Sequence, residues 1–156
     1  MTATRQSTPD QTSTVPATPA RPNGVVERVR AAATSQRTTQ LVIAAFRVVV
    51  AFLFGCHALV GFGFLGGIDG QGTAVEFGSW PGWWGSVIQL IGATLLLLGV
   101  RTRTTAIALS GVMAYAYFTV HQSMALLPLH NMGEPAALYC WIFLLIAAIG
   151  PGRFRR

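Results

Sequence analysis

Apolar residues gather into four stretches, about 41–65, 81–100, 106–124 and 135–150, and of the eleven basic residues, all arginine, only Arg47 falls inside one of them. Arg5, Arg21, Arg28, Arg30 and Arg37 precede the first stretch, Arg101 and Arg103 join the second to the third, and Arg153, Arg155 and Arg156 follow the fourth. The connections in between carry acids instead, Asp69 and Glu76 in one and Glu134 at the end of the other. If each stretch crosses a bilayer as a helix, every basic cluster falls on one side, which the positive-inside bias assigns to the cytoplasm. The expected fold is all-α: a four-transmembrane-helix bundle, N-in/C-in, with both termini cytoplasmic.

Composition supports a membrane chain. At 52% hydrophobic and 10% charged residues, with a mean hydropathy of +0.51, the sequence is too apolar for an ordinary soluble domain. A net charge of +6 raises the question of nucleic acid. No groove-reading motif accompanies the arginines, so the partners expected are the lipid bilayer and the anionic lipids of its cytoplasmic leaflet, with no nucleic acid. Residues 1–36, rich in Thr, Ser, Ala, Pro and Gln, hold too little apolar surface to offset the entropy of ordering and are expected to be a disordered basic cytoplasmic tail. Within that tail, Val25, Val26 and Val29 beside Arg28 and Arg30 could form a short interfacial helix. Residues 37–156 form the four-helix transmembrane domain, whose first span is expected to stay as an uncleaved anchor because mostly polar residues precede it.

Turn chemistry sets the boundaries between spans. Gly66, Gly67, Gly70, Gly72 and Gly78 loosen the longest loop, and Trp80, Trp83 and Trp84 end it at headgroup level. Pro81 suits a first helical position, and Pro135 does the same for the fourth span. The short link Arg101 to Thr105 makes the second and third helices antiparallel neighbours. Asn131 and Glu134 form a cap-like pair, and Gly150, Pro151 and Gly152 stop the last helix.

Helices in lipid associate through small residues and interhelical hydrogen bonds, so small-residue stripes identify the packed faces. Ala51, Gly55 and Ala58 form one such stripe, and Arg47 shares its face; Ala106, Ser110 and Ala114 form another, continued by Tyr117 to His121. His57, Gln89, His121 and Glu134, one from each helix, fall at one level in the outer part of the bilayer, with Arg47 deeper toward the cytoplasm. These five are the candidate pocket or proton-handling residues. For each there is a structural alternative: Arg47 snorkelling to the inner interface, His57 a histidine bonded to a neighbour, Gln89 an interhelical hydrogen-bonding group, and His121 with Glu134 a helix-end cap. As a functional pair, a carboxylate beside an imidazole holds a tautomer or passes a proton. No HxxxH or ExxH spacing supports a metal or haem site, and Cys56 and Cys140 fit no CxxC motif, although both lie in apolar stretches.

With these residues placed, the chain resembles the DoxX family of small four-helix bacterial membrane proteins over about residues 41–153. The resemblance rests on Arg47 followed by Phe52, Leu53, His57 and Ala58, then on Leu95 to Val100 running into Arg101, Thr102 and Arg103. It continues in Val120 and His121, in Gly133 and Glu134, and in Gly150 to Arg153. Ala58 stands where the family often has glycine, Gly61 near an expected lysine, and Gln89 where an acid is common. The resemblance implies a plasma-membrane protein linked, in some members, to quinone-connected sulfur oxidation or to membrane oxidoreductase assemblies that defend against oxidative stress. The function expected is a subunit of such a system, with protein partners in a membrane complex and a quinone as the one cofactor in view, since the chain has no redox motif of its own. The alternative is a non-catalytic membrane scaffold or assembly protein. A small transporter fits less well, because inverted repeats and Gly/Pro-broken helix centres are missing.

Overall fold

The computed structural model describes residues 23–152. Arg5, Arg21, Arg153, Arg155 and Arg156 lie outside the described residues, as does the expected tail up to residue 22. Four α-helices follow in order: α1 Asn23–Gly61, α2 Gly82–Leu98, α3 Thr102–Ala116 and α4 Glu134–Ile149. A short 3-10 turn, Phe64–Gly66, opens the long loop, and a π-helical turn, Tyr117–His121, prolongs α3. The all-helical class holds, with no strand among the described residues.

Residues 23–36 were expected to belong to a disordered tail, yet they form the first turns of α1. Extending a helix already nucleated by the apolar residues downstream needs no new nucleus, and Glu27, Arg28, Arg30 and Ala31 to Ala33 are good helix formers. The helix ends earlier than expected, at Gly61 instead of residue 65, because Gly63 takes a left-handed conformation, φ 83°. Among the described residues, α1 is by length and composition the one helix clearly able to cross a membrane. The apolar α2 and α4, at 17 and 16 residues, are shorter. At the usual rise they reach about 24–26 Å, against a hydrocarbon core of about 30 Å.

Small residues bring the helices together where the stripes lie. Ala51, Ala58 and Arg47 are buried on one face of α1, and a Cβ added at Gly55 would touch Ala93 of α2 at 3.7 Å. Nearer the loop, a Cβ at Gly61 would stand 2.0 Å from the Ser86 hydroxyl, so only glycine permits that approach. Gly92 of α2 seats Leu109 of α3 in the same way. Between α3 and α4 the Ser110 hydroxyl donates to the Cys140 carbonyl at 2.9 Å. Aromatic side chains connect α4 back to α1: the Phe54 ring lies 4.7 Å from Phe143 and 4.8 Å from Tyr139. Phe54, Leu96, Leu109, Met113 and Phe143 are the large residues at the centre of this core.

Two connections are pinned by polar side chains. In the long loop, Asp69 accepts from the backbone N–H of Gln71 at 2.8 Å and of Thr73 at 3.2 Å, and from the Thr73 hydroxyl. In the link from α3 to α4, Asn131 is fully buried, donating to the Ala125 carbonyl at 2.8 Å and accepting from the Gly133 N–H at 2.8 Å. Asn131 was expected to act as a helix cap with Glu134. It staples the loop instead, and Gly133 stands before the first residue of α4.

Candidate functional site

Beneath the long loop, between α1, α2, α3 and the start of α4, lies a cavity of about 630 Å³. Its walls are mostly aliphatic and aromatic, as small-molecule sites commonly are, with few polar groups set among them. Three of those polar groups are the expected ones: His57 from α1, Gln89 from α2 and His121 from the turn after α3. The Trp80 indole donates to the Tyr115 hydroxyl at 3.0 Å on the lining, joining the loop to α3.

Each group is placed by local structure. His57 follows the buried Phe54 by one turn, and its ring lies 6.1 Å from the centroids of Phe54 and Tyr139. Gln89 sits one turn after Gly85, and its Oε1 is buried with no hydrogen-bond partner among the described residues. An amide oxygen so placed costs free energy until a donor reaches it, about 1–3 kcal/mol. His121 ends the π-helical turn, in which the Gln122 N–H reaches back to the Tyr117 carbonyl at 2.9 Å. Its Nδ1 lies 3.0 Å from the carbonyl oxygen of Asn131. A carbonyl only accepts, so Nδ1 carries the proton of that bond and the neutral ring keeps Nε2 as an acceptor.

Glu134 does not join them. It is exposed at the start of α4, and the lining passes from Met132 to Pro135 and Ala136 without it. His121 meets the Asn131 backbone instead, a residue that the sequence could suggest only as a loop polar group. Ser86, buried at 7% exposure and donating to the Gly82 carbonyl at 3.0 Å, lines the cavity too and was missed, because one serine in an apolar stretch carries no distinguishing signal.

Arg47 belongs to a different place and does not snorkel. It is 2% exposed, and its Nη1 donates to the carbonyl of Leu96 and, at 3.5 Å, to that of Leu97. These are last-turn carbonyls of α2. Gly99, at φ 75°, closes that helix, its N–H bonded to the Leu96 carbonyl and the N–H of Val100 to Leu95. Arg47 therefore complements the negative end of the α2 dipole from a neighbouring helix, an interaction worth up to about 2 kcal/mol where partly buried.

The sequence model of the DoxX family matches residues 42–122, slightly more than half of the chain. An uncharacterized protein of Haemophilus influenzae is 38% identical over 118 residues, which cover 70% of this chain and 84% of that one. The chain belongs to the DoxX family. As a DoxX protein it is a membrane protein, and its matched stretch holds Arg47, His57, Gln89 and His121 but stops before Asn131 and Glu134. The C-terminal resemblance, through Gly133, Glu134 and Gly150 to Arg153, lies beyond that match. No solved structure matches the chain.

Proposed function

We propose that this DoxX protein is a four-span membrane subunit that holds a small, mostly apolar ligand of quinone type in the cavity beneath its long loop, as part of a membrane oxidoreductase system. The observation that carries the reading is the convergence of His57, Gln89 and His121, from three separate elements, on one largely apolar cavity of about 630 Å³. A quinone fits the residue set: its ring suits the apolar walls, its oxygens can accept from the amide N–H of Gln89 or an imidazole N–H of His57, and its reduced hydroxyl can donate to Nε2 of His121. When bound it would supply two-electron, two-proton redox chemistry. The chain itself would contribute orientation by Gln89 and proton exchange at His121, with the exposed Glu134 near the rim rather than in the pocket. Electrons would come from a partner protein. On this reading both termini and the Arg101–Arg103 link lie in the cytoplasm, against anionic lipid, and the cavity lies toward the outer leaflet; the arginine clusters support that orientation through the positive-inside bias.

Arg47 favours a second reading for part of the molecule, since its bonds to α2 serve helix register and would suit a scaffold equally well. The two readings separate on bound lipid. Protein purified in mild detergent should carry quinone extractable by organic solvent, and Gln89→Leu and His121→Phe should each lower that content at least about fivefold while unfolding within a few degrees of wild type. Unchanged quinone content with reduced thermal stability in both variants would leave the scaffold.

A further inference from the structure

Between Arg103 and Glu134 the sequence holds no Asp, Glu, Lys or Arg, so the link from α3 to α4 is as free of fixed charge as the helical turns before it. The long loop between α1 and α2 differs, since it carries Asp69 and Glu76. The α3–α4 link also turns apolar side chains outward: Leu126, Leu129 and Met132 are 79%, 74% and 72% exposed. They continue the exposed apolar surface on either side, at Phe118 in the π-helical turn and at Leu138 and Trp141 on α4. Its backbone carbonyls face the other way. Those of Ala125 to Pro128 accept from within the protein: in order, from the Asn131 amide at 2.8 Å, the Tyr117 hydroxyl at 3.5 Å, the N–H of His130 at 2.9 Å and that of Gly133 at 3.1 Å. Irregular backbone is tolerated at membrane depth only where its polar groups find such internal partners. Depth points the same way. Helix α4 ends beside Arg103, because a Cβ at Gly150 would stand 3.3 Å from that guanidinium. Counted back from this charged level, its 16 residues rise about 24 Å, short of a hydrocarbon core of about 30 Å.

We propose that the α3–α4 link is a lipid-anchoring segment lying in the membrane interface, with Leu126, Leu129 and Met132 among the acyl chains of the leaflet opposite Arg101 and Arg103, and not a loop standing in water. Exposed apolar patches mark either protein or membrane contacts. Lipid is the better fit here, because the patch continues the apolar surfaces of α3 and α4 and holds no fixed charge to orient a protein partner. His130 and Glu134 then mark the headgroup level. Met132 also lines the cavity, so the embedded link forms part of the boundary between cavity and lipid. This placement depends only on the chain being a membrane protein and is independent of any ligand in the cavity.

The test spin-labels Leu126→Cys, Leu129→Cys and, for comparison, Gln71→Cys in the exposed long loop, each in full-length protein carrying Cys56→Ser and Cys140→Ala and reconstituted into phosphatidylcholine vesicles. Power saturation should find the labels at 126 and 129 more accessible to oxygen, which concentrates among acyl chains, than to a water-soluble nickel chelate. At 71 the order should reverse. Nickel access at 126 and 129 equal to that at 71 overturns the proposal by placing the link in water. Low access to both reagents at 126 and 129 overturns it as well, by showing that protein covers the link. Should the labelled variants fail to fold, a second measurement needs no substitution. Wild-type protein in vesicles of phosphatidylcholine with an acyl-chain diazirine, irradiated and mapped by mass spectrometry, should bear adducts on residues 124–132 as well as on α4, and none on 69–76. Adducts on α4 with none on 124–132 overturn the proposal.

Discussion

At Arg47 a cation sits inside the bundle with backbone oxygens as its counter-charge, and the reason lies in what a helix end needs. The last carbonyls of α2 have no intrahelical donor. The turn at Gly99 satisfies Leu95 and one lone pair of Leu96, and Arg47 adds a charged donor at Leu96 and Leu97. Arg47→Met should therefore destabilise the protein by about 2 kcal/mol, the cost of losing charge-assisted hydrogen bonds, with Arg47→Lys between the two because one ammonium keeps the charge but not the fork. Thermal unfolding in a fixed detergent measures both. Asp69 provides a pH dependence outside the membrane. The Thr73 hydroxyl and the N–H of Gln71 hold its carboxyl below its ordinary value of 3.8. A depressed folded pKa contributes order present above the unfolded value and lost as pH falls through the folded one. Amide exchange at Gln71 and Thr73 should accordingly quicken below about pH 4, and Asp69→Asn should remove that acid-dependent step.

The helices meet where side chains are absent. Gly61 and Ser86 show how narrow the tolerance is: Gly61→Ala drives a methyl into a hydroxyl already bonded to Gly82, and should cost about 1–3 kcal/mol as an overpacked contact. Adding Ser86→Ala should recover part of that loss, with a coupling of about 1 kcal/mol in a double-mutant cycle. Additive losses would mean that α1 and α2 do not meet there. The stripes Ala51–Gly55–Ala58 and Ala106–Ser110–Ala114 were legible because small residues at helical spacing mark a close approach in any apolar helix. The π-helical turn at Tyr117–His121 was not, since no residue type demands an i→i+5 bond. That turn ends α3 at His121, so its ring meets the Asn131 carbonyl and not Glu134.

In the assembled molecule, α1–α2 and α3–α4 form two antiparallel pairs, and the long loop closes over the cavity at one end while Arg101 and Arg103 mark the other. The proposed orientation makes a direct prediction. In a background with Cys56→Ser and Cys140→Ala, a cysteine at the exposed Gln71 should react with an impermeant maleimide in intact cells, and one at the exposed Thr104 should react only after permeabilisation. The reverse pattern would invert the topology, and with it the side of the membrane toward which the proposed cavity lies.

The number of helices and their packed faces could be read from the sequence alone, because apolar length and small-residue spacing are properties of each segment by itself. Tertiary structure decided the rest. Glu134 lies outside the cavity and Asn131 holds the loop, because which side chains share a pocket depends on how a turn closes, through hydrogen bonds between residues far apart in sequence. The same holds for Arg47: a charge within an apolar stretch signals a cost, but only the end of α2 lying beside it shows what offsets that cost.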